Sequence, residues 1–282
     1  MLDKLDEKVY RMPQPEFIEL ANNSRMALTA TERMPIALTI TWQWVIAKIG
    51  EALIARDASE IIKLVFSDLD YAQLNNNAVN DVCSVIGQPV NENTLREIQV
   101  KIDSLKELMR EYLLYPQNNQ NQLDYVINES TFVINELKKL EVVGIGAFII
   151  ASGLRLALLQ EQAKLDIRKW SIIKDRAIEY SNYAAMVTPK LFKLSIGRID
   201  KECRCTKWES RTEGQEKITE YECRYFDGKD LHIFRELSPN VVIECNKHRL
   251  QMFHAVADKV NQIAAKPVRR ARKKWLELAA SI

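Results

Sequence analysis

Cys203, Cys205, Cys223 and Cys245, with His248 three residues beyond the last, are the side chains of this chain best suited to holding a metal ion. The Cys-x-Cys pair and the Cys245–His248 spacing are compatible with thiolate and imidazole ligation. Neither reproduces the paired Cys-x2-Cys knuckles of structural zinc sites. A period of two puts all four thiols on inward-facing strand positions, where cysteine behaves as a small apolar residue. Packing is the reading this favours, and zinc ligation and a disulfide are the alternatives left open. Cys83 lies on a short apolar helical stretch and reads as packing. Five cysteines, an odd number, suit a reducing compartment better than a disulfide framework.

Catalytic chemistry finds less. His232, His248 and His254 are the only imidazoles. His232 alternates with Leu231 and Ile233 and is expected to face solvent. No Gly-rich phosphate loop, Gly-x-Ser-x-Gly elbow or His-Glu-x-x-His helix occurs. The expectation is a non-enzymatic protein without a cofactor.

The elements that must position these residues are mostly helical. With 47% hydrophobic and 28% charged residues, the chain has the composition of a folded protein. Eight glycines and eight prolines suit long helices with short connections. A net charge of +2 creates no global field for nucleic acid, which is an unlikely partner. The N-terminal residues lack the apolar run and cleavage site of a secretory signal, so the expectation is a protein made in the cytoplasm, with release or membrane association on activation.

Residues 1–197 read as a helical bundle. A first helix is expected after Pro15, with Phe17, Leu20, Ala21 and Leu28 on one face. A second is expected from Pro35, with Ile40, Trp44, Ile49 and Leu53 as its apolar side. Asp57 and Glu60 have capping-box spacing before Ile61, Leu64, Val65, Leu69 and Ala72, and the Asn75-Asn76-Asn77 run is expected to break that helix. A short helix ends near Gly87-Gln88-Pro89. Thr94 and Glu97 form a capping box, followed by Leu95, Ile98, Ile102, Leu105, Met109 and Tyr112 at spacings of three and four. Leu123, Val126, Ser130, Val133, Leu137 and Leu140 repeat that spacing, so the two stretches predict an antiparallel αα-hairpin. Trp170, Ile173, Ala177, Tyr180, Ala184 and Val187 mark a further helix, with Pro189 expected to end it.

Between them, Val142 to Leu159 is nearly continuous in apolar and small residues. A helix hydrophobic all round is buried at the centre of a bundle or in a bilayer. Its one charge, Arg155, is costly at a bilayer centre, so the resting state is expected to be a bundle axis. There Arg155 pairs with a carboxylate or reaches the bundle surface. Conditional insertion, in which the bundle opens, is the alternative. Gly146 to Gln162, GAFIIASGLRLALLQEQ, with Trp170 and Tyr180 beyond it, resembles the central-helix region of the N-terminal helical domain of insecticidal delta-endotoxins. The resemblance covers at most the first 190 residues. It implies amphipathic helices around a buried apolar one, with helical hairpins that enter membranes. It implies no receptor recognition, because the strand region of this chain is too short to stand for the family's two large β domains.

Residues 198–246 change period and predict a small antiparallel β subdomain packed on the bundle, with Asp227-Gly228 as a hairpin turn and Val241, Ile243 and Cys245 on a last short strand. Residues 247–282 read as a C-terminal helix carrying Leu250, Phe253, Val256, Val260 and Ile263, interrupted at Pro267, and a basic tail. Lys266, Arg269, Arg270, Arg272, Lys273 and Lys274 with Trp275 and Leu276 are candidates for contact with an anionic surface.

The fold expected is therefore mainly α: a multi-helix bundle around a central apolar helix, with a small antiparallel sheet inserted near the C-terminal part. The function expected is membrane perturbation by exposure of that helix, through Val142, Ile145, Phe148, Ile149, Ile150, Leu154, Arg155, Leu156, Leu158 and Leu159. The alternative is a cytoplasmic protein–protein interaction or regulatory module without membrane activity. The partners implied are a lipid bilayer or another protein.

Overall fold

Every residue from Gly144 to Gln160 is buried, and the other helices are arranged to make that so. The computed structural model describes residues 40–89, 92–116, 120–210 and 218–282. The helices expected after Pro15 and at Pro35 begin outside the described residues. In chain order the elements are α1 (Trp42–Ala55), α2 (Ala58–Lys63), α3 (Tyr71–Ile86), α4 (Glu92–Leu114), α5 (Gln120–Lys139), α6 (Ile145–Ala163) and α7 (Lys169–Ile196). The strands β1 (Arg204–Ser210), β2 (Ile218–Phe226) and β3 (Leu231–Glu236) follow, then α8 (Val241–Val260) and α9 (Lys266–Ala280). The fold is a mainly helical bundle around an apolar axis, with a small antiparallel sheet near the C-terminal part.

The axis is α6. Helices α1, α2, α3, α5, α7 and α9 all pack against it. Close approach needs small residues. A Cβ built on Gly153 would lie 2.6 Å from Cγ2 of Ile49, so α1 can lie this near only because Gly153 has no side chain. The α4–α5 hairpin forms as the spacing predicts, burying Ile98, Ile102, Leu105, Met109 and Tyr112 against Leu123, Val126, Val133 and Leu137.

Several boundaries differ from those the sequence predicts. Helix α1 starts at Trp42, where the Thr41 hydroxyl accepts from the Trp44 amide at 3.3 Å. Its buried face is therefore Trp42, Val45, Ile49 and Leu53, and Ile40 and Trp44 are exposed. Asp57 makes no capping bond to the backbone, because its carboxylate accepts from the Ser59 hydroxyl instead. Helix α2 passes into a π turn over Leu64–Asp68 and stops. Asp70 then caps α3 through the Gln73 amide, and the asparagine run continues that helix. Asparagine is tolerated there because Asn75 donates to the Tyr71 carbonyl and Gln73 donates to Asn77. Gly87 ends α3 in the left-handed conformation, as expected. Helix α4 already begins at Glu92, ahead of the predicted Thr94 cap.

Prolines are absorbed twice. Pro189 lies inside α7, which continues to Ile196 because Val187 and Leu191 on either side are buried in the core. Pro267 follows directly on a π turn over Asn261–Ala265, whose wider winding carries the helical backbone from α8 into α9 without a break. The expected interruption is thus a change of winding.

The sheet is a meander of order β1-β2-β3, antiparallel throughout. The strand predicted over Val241–Cys245 is instead the first turn of α8. Val241 and Cys245, four apart, are buried, while Ile243 is 68% exposed. A spacing of four with the middle position in solvent is a helical face. Ile199, Cys223, Tyr225, Val241 and Cys245 form a second small core between sheet and α8.

Candidate functional site

Three groups of residues have an arrangement that calls for a chemical reading. The first is α6 itself. Ile145, Phe148, Ile149, Ile150, Leu154, Leu156, Leu158 and Leu159 are buried on its several faces. Val142 is also buried but precedes the helix, in a turn where Glu141 takes φ of 48°. Phe148 sits among Tyr180, Tyr183 and Trp275, with ring centroids between 4.5 and 6.4 Å.

Arg155 does neither thing the sequence predicts. It is 7% exposed, so it does not reach the surface, and its partners are neutral. Its Nε donates to the Ile127 carbonyl at 3.3 Å and its Nη1 to the Tyr180 hydroxyl at 2.7 Å. Burial pushes the Tyr180 hydroxyl up, and the adjacent guanidinium offsets part of that rise. Among the described residues, the Ser152 hydroxyl and the Gln160 side-chain carbonyl of α6 have no hydrogen-bond partner. Each such group costs about 1–3 kcal/mol. The axis is therefore apolar in outline but carries polar strain inside.

A consequence is measurable. Replacing a buried charge network by apolar residues of similar volume is often stabilising by about 1–4 kcal/mol. The double variant Arg155→Met, Tyr180→Phe removes donor and acceptor together, and the Ile127 carbonyl keeps the Ser130 and Thr131 hydroxyls. Urea unfolding is expected to show a gain in that range. A loss of more than about 1 kcal/mol would mean that the guanidinium contributes net stability.

The second group is the cysteines. Cys203 is joined to Cys245 and Cys205 to Cys223, which overturns the packing assignment and leaves Cys83 as the free thiol. The reason is tertiary for one pair and register for the other. Cys205 stands directly opposite Cys223 across β1 and β2, with Cα atoms 4.1 Å apart. Cys245 is carried by α8, and its helical phase brings it to Cys203 just before β1. Neither thiol pair is left to ligate zinc, and no described group of three or more His, Cys, Asp or Glu side chains is placed to hold a metal ion.

The third group is one the sequence did not reveal. On β3 the phase is opposite to that expected: Leu231 and Ile233 face solvent, and His232 and Phe234 turn toward α8. A shift of one residue exchanges the two faces of a strand completely. His232 thereby stacks on Tyr225 with centroids 4.9 Å apart, and its Nε2 lies 2.8 Å from an Asp227 carboxylate oxygen. His248 of α8 meets the Tyr225 hydroxyl at 2.7 Å through Nδ1, and the two imidazoles are 5.0 Å apart. Arg198 holds the adjacent turn from the bundle side. It lies against Gly87 at the end of α3 and donates to the Gly228 carbonyl. The signal available was Asp227-Gly228 at the turn with His232 five residues after Asp227, but its meaning depended on the strand phase.

Asp227 is the best-defined titrating group of this cluster. Burial alone would raise its carboxyl. The Asp230 amide, the His232 side chain and the Lys229 amide outweigh that and hold it at about 2. Its folded value lies below the ordinary 3.8, so its stabilising contribution is present above pH 3.8 and is lost as pH falls toward 2. The contribution is at most about 2 kcal/mol. In Asp227→Asn, the acid limb of a stability–pH curve is expected to flatten between these values. An unchanged limb would show that the carboxylate is not held as described.

The basic residues of the C-terminal segment are spread around α9. Lys273 and Lys274 pair with Glu277, Arg272 reaches the Ser181 hydroxyl at 3.3 Å, and Arg269 donates to Asn261. Lys266 and Arg270 are exposed. Trp275 is buried at 1% exposure, so the expected tail is a packed amphipathic helix whose tryptophan belongs to the core. No described helix is long and apolar enough to cross a membrane. The chain matches no protein-family model, no curated protein and no solved structure.

Proposed function

We propose that this protein is a non-enzymatic helical bundle that perturbs membranes by exposing its central helix, in the manner its resemblance to the helical domain of delta-endotoxins implies. The observation that carries the reading is the unbroken burial of the chain from Gly144 to Gln160 around an arginine bonded only to neutral groups. Such a helix keeps its apolar surface hidden only while the bundle is closed, and opening returns a desolvated guanidinium to water. With no spanning helix among the described residues, the proposed mode is insertion of α6 together with a neighbour rather than a single span. The two disulfides fit a protein that acts in an oxidising compartment. Dye release from liposomes tests this directly. Leakage that rises on mild opening of the bundle is the expected result. No leakage from neutral or anionic vesicles, across pH and after limited proteolysis, would overturn it.

A second reading has its own observation. Trp208, Phe226, Leu231 and Ile233 are exposed on the outer face of the sheet, a surface suited to a protein partner. A stable soluble bundle that ignores lipid and retains a specific protein through this face would favour an interaction module.

A further inference from the structure

Four strongly exposed apolar side chains gather in one place. Ile167 is 80% exposed, Leu114 71%, Tyr115 65% and Leu165 61%. They belong to two connections, α4 to α5 and α6 to α7, which meet at one end of the bundle. Gln162 near the end of α6 donates to Asp124 near the start of α5, and Gln122 of α5 donates to Glu111 of α4. The C-terminus of α1 is at the same end, since Gln160 donates to the Leu53 carbonyl at 2.8 Å. The sheet and its disulfides lie beyond the C-terminus of α7, whose N-terminus leaves the α6–α7 connection, so they occupy the other end.

We infer that this end is a docking surface for a lipid bilayer containing anionic phospholipid, an inference that rests on the membrane reading above. Charge and shape both support this occupant. From Lys164 to Lys169 the sequence interleaves two apolar tips with Lys164, Arg168 and Lys169. Lys164 is paired with Glu161 and Arg168 with Asp166, in exposed ion pairs worth little in water, which a lipid phosphate can replace. The Arg168 side chain is 87% exposed, and Lys63 and Arg110 line a shallow groove beside Leu113 and Leu114. These cations, Arg110 in an exposed pair with Glu107 among them, lie in or beside the segments that carry the tips, within reach of lipid phosphates. Apolar tips on two separate loops suit a fluid phase that closes around each, as an interfacial anchor requires. The Tyr115 ring has the amphipathic character favoured at the headgroup level.

Flotation of the full chain with vesicles of phosphatidylcholine and phosphatidylglycerol in equal parts tests the inference. Wild type is expected to float, and less so with phosphatidylcholine alone or at high salt. Leu165→Ser with Ile167→Ser should weaken partition roughly a hundredfold, about tenfold per side chain. Both side chains are exposed, so folding should be unaffected. The control pair Leu237→Ser with Ile243→Ser removes residues of similar exposure, 67% and 68%, and should float as wild type does. Failure of wild type to float would overturn the inference, as would an equal loss in both pairs. So would a loop variant that floats unchanged while shifting from dimer to monomer on size exclusion. Dye release on the same samples separates the two proposals. Wild-type release undiminished in the loop variant overturns this docking surface alone. Loop-dependent flotation without release overturns membrane perturbation alone.

Discussion

Trp275→Ala is expected to lower the unfolding free energy by about 3–5 kcal/mol, the usual cost of deleting a large buried aromatic side chain. The indole is 1% exposed, with Phe148 of α6 at 6.4 Å and Tyr180 of α7 at 6.0 Å between ring centroids. Three helices therefore share one aromatic contact, and the deletion leaves a cavity that α6 cannot fill without moving. Urea unfolding read by circular dichroism measures the loss. Arg270→Ala on the exposed side of the same helix should cost less than about 0.5 kcal/mol. A Trp275 variant as stable as the Arg270 one would mean that α9 is a detachable tail. The variant also bears on function: a bundle that opens more easily should release dye at lower stress if α6 is the active element.

Removing the Cys203–Cys245 bond is the other large effect. The bridge closes a stretch of 42 residues that contains the whole sheet. Loop-closure entropy for that length corresponds to about 4 kcal/mol. The Cys203→Ser, Cys245→Ser variant should lose most of that, measured as a lower urea midpoint, and wild type treated with reductant, which opens the Cys205–Cys223 bond as well, should lose at least as much. The loss should be concentrated in the sheet and the start of α8, because their small core has few members and Cys245 is one of them. Hydrogen exchange would show Tyr225 and Phe234 amides exposed earlier than those of α6. A loss below about 1 kcal/mol would show that packing of α8 on α7, rather than the bridge, holds the sheet in place.

Much of the bundle was legible because helical burial repeats along the chain. Ile98 to Tyr112 and Leu123 to Leu137 recur at three and four residues, and an all-apolar stretch beside them has only the centre left to occupy. Sequence could not tell whether Arg155 would find a carboxylate, since its partners come from Ile127 and Tyr180, on two other helices. Nor could it fix the short segments. The residues from Val241 to Cys245 satisfy a period of two as well as a spacing of four, and only packing on the sheet selected the helix. The phase of β3 was open for the same reason, because Leu231, Ile233 and Phe234 offer apolar residues to both faces.

What the sequence determined by itself is a helical bundle with α6 as its axis, since local periodicity and overall hydrophobicity are properties of the chain alone. The tertiary structure decided the pairing of the cysteines, the inward turn of His232, the burial of Trp275 and the gathering of Leu114, Tyr115, Leu165 and Ile167 at one end. Each of these depends on residues far apart in sequence meeting in one place. That information lies in the packing of helices against one another, where no pattern within a single segment can record it.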